Sequence, residues 1–136
     1  MNAIEQKIRL IHKYLSPDLL NPKWRQINEA GSNPLVGHCY IAAETLFYLL
    51  GGKKKGWTPY VLSHHTWPEG LNEGETHWFL KHTDGTIADP SKGQFDGQEI
   101  NYAAGRGSGF LTGTISKRAS ILMERIKNHL KEHDRS

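Results

Sequence analysis

Apolar residues recur with a helical period in three stretches of the chain. Cys39, Ala42, Ala43, Leu46, Phe47 and Leu50 lie at i, i+3, i+4, i+7, i+8 and i+11, which predicts an amphipathic helix, and Gly51-Gly52 supplies a left-handed stop. Ile4, Ile8, Ile11 and Leu15 mark an N-terminal helix that ends at Ser16-Pro17. Ser116 is placed to cap a C-terminal helix whose stripe is Ala119, Leu122, Ile126 and Leu130. Asn21-Pro22 and Asn33-Pro34 punctuate the loop before the central helix, and a strand is expected around Trp57 to Leu62. The segment from Ser63 to Gly74 is polar and broken by Gly and Pro, so it reads as a loop. These elements amount to a single α+β domain over residues 1–136, with helices packed on a small antiparallel sheet.

The run from Thr76 to His82, the turn Thr83-Asp84-Gly85 and the run Thr86-Ile87-Ala88-Asp89 read as a hairpin that Pro90 terminates. Its register decides the chemistry. A two-residue loop pairs Leu80 with Asp89 and puts Asp89 on the face opposite His77, whereas a three-residue loop with Gly85 left-handed pairs Phe79 with Asp89 and joins the two on one face. The three-residue form is expected here. Trp78 and Leu80 then point the other way, toward the helix.

Cys39 is the only cysteine and falls in the first turn of the predicted central helix. Unpaired backbone N–H groups and the positive end of the helix dipole favour thiolate over thiol there. With His77 at a strand start and Asp89 at the end of the next strand, the residue types allow acyl transfer: Cys39 as nucleophile, His77 as base, Asp89 as the group that orients the ring. The Cys39 backbone N–H is the natural oxyanion donor, and the His38 side chain is a candidate second one. His64, His65 and Trp67, just ahead of the His77 strand, are placed to overhang the site; Trp78 beside His77 joins the substrate-binding candidates. Arg106, within the glycine-rich run from Asn101 to Phe110, could bind a carboxylate, while that run lacks the Gly-Lys-Ser/Thr of a phosphate loop.

Gly37-His38-Cys39 leading into a helix that ends in Gly-Gly, then His77, then Asp89-Pro90-Ser91-Lys92-Gly93-Gln94-Phe95, resembles the small bacterial YunG-like proteins of the papain-like class. The last segment is similar to their Asp-x-Thr-x-x-Gln-Phe element, with Ser91 in place of Thr. His77-Trp78 and Asp89-Pro90-Ser91 also resemble the His and Asp elements of transglutaminase cores. The resemblance spans residues 33–95. It implies a papain-like, transglutaminase-like core with Cys39, His77 and Asp89 as the catalytic triad; Asn33, upstream of Cys39 at a separation like that of the papain-type oxyanion glutamine, is the alternative to His38 as second oxyanion donor, and Gln94 of the last segment joins the substrate-binding candidates.

The expected reaction is hydrolysis of a peptide or isopeptide-like amide, with a protein or peptide substrate and no cofactor. Glutamine deamidation or transglutaminase-type amine transfer is the alternative, since one thioester serves both. A reading from another class is a non-catalytic protein- or nucleic-acid-binding module that keeps the fold. Charge bears on that reading, because from Lys117 onward six Lys or Arg face three acids, a surplus equal to the whole chain's +3. A solvated helix with cations near its C-terminus accounts for the surplus, and no nucleic acid is expected as a partner. Zinc ligation by Cys39, His38, His64, His65 and His77 lacks the usual ligand spacings, so no metal is expected. A hydrophobic content of 37% suits a modest core. No run reaches membrane-span length, and the N-terminus lacks the layout of a signal peptide, so a cytoplasmic protein is expected, its lone thiol kept reduced.

Overall fold

The computed structural model describes residues 3–20, 26, 38–95, 97–110 and 114–134. The three helical patterns become α1 (Ala3–Tyr14), α2 (Cys39–Leu49) and α3 (Lys117–Asp134). Among the described residues four strands, β1 (Trp57–Ser63), β2 (Thr76–His82), β3 (Ile87–Ala88) and β4 (Arg106–Gly107), form one antiparallel sheet in the order β3-β2-β1-β4. The chain is thus α+β, as its pattern predicts. No helix among the described residues is long and apolar enough to cross a membrane.

Burial divides β2 by parity. On one face Leu80 joins Trp57, Ala88 and residues of α1, α2 and α3, among them Ile11, Leu46, Ala119, Leu122 and Ile126. On the other, Phe79 packs with Leu62, Trp67 and Leu71. Pro59 lies within β1, and Ser108 N–H donates to its carbonyl at 2.9 Å. Its missing N–H therefore points to the β4 side, just beyond the last β1–β4 pair, Tyr60 with Gly107, so the ladder loses nothing.

Three expectations need correction. Residues Ile41 to Leu46 of α2 are buried without interruption, including Glu44 and Thr45, so α2 is a central helix covered by the sheet, α1 and α3 rather than one with an apolar stripe and a wet face. Leu130 is 46% exposed, because α3 runs past the core that Ala119, Leu122 and Ile126 reach. The segment from His64 to Gly74 is a packed loop, since Trp67 and Leu71 are buried within it.

Two polar anchors fix the helices. Ser116 N–H and Oγ–H donate to Glu44 at 2.8 and 2.6 Å, and Ala119 N–H donates to Ser116 Oγ at 3.3 Å, so a buried carboxylate on α2 holds the start of α3. Arg125 of α3 donates to the Tyr14 carbonyl (3.1 Å), Ser16 Oγ (2.9 Å) and Asp18 (3.0 Å), which ties α3 to the end of α1.

Candidate active site

The hairpin turn is the three-residue form. Gly85 is left-handed (φ 94°), His82 N–H donates to the Thr86 carbonyl at 2.8 Å, and Leu80 pairs with Ala88. Continued by one residue, that register sets Asp89 across from Phe79 and on the face of His77. The two side chains meet there: His77 Nε2–H donates to Asp89 Oδ2 at 2.7 Å, with both side chains almost fully buried.

Asp89 is held at both oxygens. Oδ1 accepts from Ser91 N–H at 3.1 Å, an Asx-type turn that Pro90 shapes, and Oδ2 accepts a second bond from Tyr102 Oη–H at 2.8 Å. Tyr102 is a site residue that periodicity did not reveal. It sits in a 3-10 turn, Tyr102–Ala104, with its ring edge-on to Phe79 (4.9 Å, 65°), and Gly105 leaves room for that ring pair, since a Cβ there would stand 2.7 Å from Phe79 Cζ. Phe95 packs edge-on to the His77 ring (4.8 Å, 88°) and Phe79 stacks beside it (6.2 Å, 24°). The imidazole is therefore fixed by rings as well as by its carboxylate.

Cys39 is the first residue of α2, so its N–H has no intrahelical acceptor. Its Sγ–H donates to the carbonyl of Thr76, the residue before His77, at 3.5 Å. Burial would lower the proton affinity of His77, but the hydrogen bond to Asp89, interaction with the Cys39 side chain and the negative charge of both outweigh it and push the ring up to about 9. The sulfur thus contributes to the field at the ring without a well-formed hydrogen bond to it: His77 Nδ1 has no hydrogen-bond partner among the described residues. Ser91 Oγ and Gln94 Oε1, on the turn after Asp89, are buried and unpartnered in the same sense.

The structure thus brings Cys39, His77 and Asp89 together and leaves Gln94 on the turn beside them. Other candidates fall elsewhere. His38 is buried with Nε2 bonded to the Ser16 carbonyl (3.1 Å), so its ring is committed to the α1 side rather than to an oxyanion. Trp67 is 2% exposed and packs edge-on to Phe95 (5.0 Å), supporting the site from beneath instead of rimming it. Trp78 is buried on the helix side against Tyr40 (5.0 Å) and Phe110 (5.6 Å), as strand parity requires, and so does not line the His77 face. Arg106 is exposed on β4 opposite Val61, which pairs with Trp78. It stands two strands from His77 and on the other face of the sheet. His65 is exposed beside His64 (5.9 Å), whose Nδ1 bonds the Leu71 carbonyl at 2.7 Å. Asn33 lies outside the described residues. No group of three or more His, Cys, Asp or Glu among the described residues could hold a metal ion. Compared with models of known families, with curated proteins and with solved structures, the chain matches none.

Proposed function

We propose that this protein is a cysteine-dependent acyl-transfer enzyme of the papain-like kind, in which Cys39 is the nucleophile, His77 the base and Asp89 the orienting carboxylate, and that it hydrolyses a peptide or isopeptide-like amide. The observation that carries the reading is the buried His77–Asp89 pair, which engages Nε2 and leaves Nδ1 without a partner, beside the one cysteine, at a helix start. A structural histidine buried this deeply normally satisfies both nitrogens.

The steps follow from the residue types. With Nε2–H held by Asp89, the proton that the ring keeps on Nδ1 up to about 9 is the one the Cys39 thiol gives up, so the reactive pair is a thiolate beside an imidazolium that the carboxylate stabilises. The sulfur attacks the amide carbonyl carbon, forming a C–S bond, and the carbonyl oxygen becomes an oxyanion that the Cys39 N–H can receive. As the C–N bond breaks, Nδ1–H gives its proton to the departing nitrogen, leaving a thioester on Cys39. Water then attacks the thioester carbon, His77 takes its proton, and the C–S bond breaks to return the thiolate and release the carboxylic acid. An amine in place of water would give transamidation by the same route.

Electrophile trapping tests the reading. A peptidyl vinyl sulfone at neutral pH should label Cys39, located by mass spectrometry. His77→Ala should slow labelling by about tenfold or more, and Asp89→Asn should cost roughly 10²–10⁴-fold in turnover of any substrate that requires Cys39. Labelling of Cys39 at equal rates with and without the His77 imidazole would reduce the constellation to a packed core.

A further inference from the structure

Asp89 Oδ2 accepts two hydrogen bonds, from His77 Nε2–H at 2.7 Å and from Tyr102 Oη–H at 2.8 Å. We propose that Tyr102 is a positioning residue that shares Asp89 Oδ2 with the imidazole and thereby sets how much of the carboxylate's charge reaches His77. The proposal rests on the acyl-transfer reading above for its functional meaning, but the hydrogen-bond relay itself does not require it.

Tyr102 does not merely hold the carboxylate in place. Oδ1 is anchored separately by Ser91 N–H at 3.1 Å, from the adjoining turn, so the side chain keeps its orientation when the phenol bond is lost. What the hydroxyl contributes is a donor that draws negative charge from the oxygen facing the ring. Burial and the charge on Asp89 hold the Tyr102 hydroxyl well above the ordinary tyrosine range, so it remains protonated and a donor wherever His77 titrates. Its position is built by packing: the phenol ring lies edge-on to Phe79, and Gly105 gives Phe79 the space to meet it.

The groups acting on the His77 ring come from separate elements. Among the described residues Cys39 approaches from the start of α2 and Asp89 from the end of the hairpin, while Phe79 and Phe95 pack on the ring without charge. From α1, His12 Nε2 bonds the Pro90 carbonyl, next to Asp89 but not on its carboxylate. Tyr102 acts on the ring only through Asp89, so a change confined to its hydroxyl reports on that link alone.

The experiment is an NMR titration of the protein labelled with [13C]histidine, His77 being assigned as the signal missing from His77→Gln. Tyr102→Phe keeps the ring and removes the donor, so the midpoint of His77 should move up by about half a pH unit or more. Uniform 3-fluorotyrosine, which makes the hydroxyl a stronger donor and needs no substitution, should move it down. Midpoints unmoved by both changes, or a downward move in Tyr102→Phe, would overturn the proposal and leave Tyr102 as a packing residue. Failure of the acyl-transfer reading would show separately, as vinyl sulfone labelling of Cys39 that ignores His77 while the titration still follows Tyr102.

Discussion

His77 is where the fold and the proposed chemistry share one proton. In the folded chain the ring holds its proton up to about 9, against 6.5 for an exposed histidine, so the folded state binds that proton more tightly than the unfolded state. The resulting stabilisation is full below about pH 6.5, shrinks as pH rises from there to about 9, and is absent above. It amounts to an order of 3 kcal/mol at its fullest. Urea unfolding at about pH 6 and about pH 9.5 should show the native protein losing stability with rising pH, and His77→Gln should remove most of that slope. At this scale the sequence was informative where chain order and turn chemistry spoke: one cysteine at a helix start, a histidine opening a strand, and an aspartate before proline after a turn with glycine in its third place. Tyr102 was hidden because its contact depends on a short 3-10 turn inside a glycine-rich run with no period to read. Trp67 and Trp78 lie near His77 in sequence but not on its cleft, because each ring gains more by burying its large apolar area in a core.

The three helices and the hairpin were each legible from period and punctuation, yet the environment of α2 was not. An apolar stripe at i, i+3, i+4 and i+7 describes a helix with one dry face, and nothing local tells that α1 and α3 will cover the rest. Glu44 shows the difference: on a wet face it would be solvated, whereas in the structure it is buried and serves the start of another helix. Replacing it by Ala leaves Ser116 N–H and Oγ without their acceptor, and Glu44→Ala should lower stability by roughly 2–4 kcal/mol. Glu44→Gln keeps an acceptor oxygen and should lose less. Chemical denaturation of the two variants measures the difference; equal losses would mean that the cap needs both carboxylate oxygens, and a loss below about 1 kcal/mol in Glu44→Ala would mean that the cap contributes little. The strand β4 was likewise unreadable, since Arg106-Gly107 is too short for alternation to register and forms only because β1 offers it an edge.

Across the whole molecule, the ends of the chain brace its middle. Arg125 links α3 to the residues that close α1, but Arg125 and Asp18 are 32% and 61% exposed, so their ion pair adds at most about 1 kcal/mol and the apolar contacts of Ile11, Leu122 and Ile126 do most of the holding. The hairpin turn has Thr83, Asp84 and Gly85 all exposed, in the kind of place where chains ordinarily accept insertions and deletions. What matters here is which residues the turn takes, since the same run could close on two of them or on three. Closing on Asp84-Gly85 alone would slip the pairing by one residue, carrying Asp89 to the far side of the sheet and Ala88 off the helix side, whereas deleting Asp84 leaves a two-residue loop between the same partners, His82 and Thr86, and keeps Asp89 across from Phe79. Deleting Asp84 should therefore retain His77-dependent labelling of Cys39, whereas Gly85→Val, which resists the left-handed conformation (φ 94°) of the three-residue loop, should lower stability by about 1 kcal/mol or more in chemical denaturation and weaken that labelling. A loop with no side chain in the site thus acts on it through one backbone conformation, and variation among descendants of this chain should be freer in the length of the turn than at its glycine.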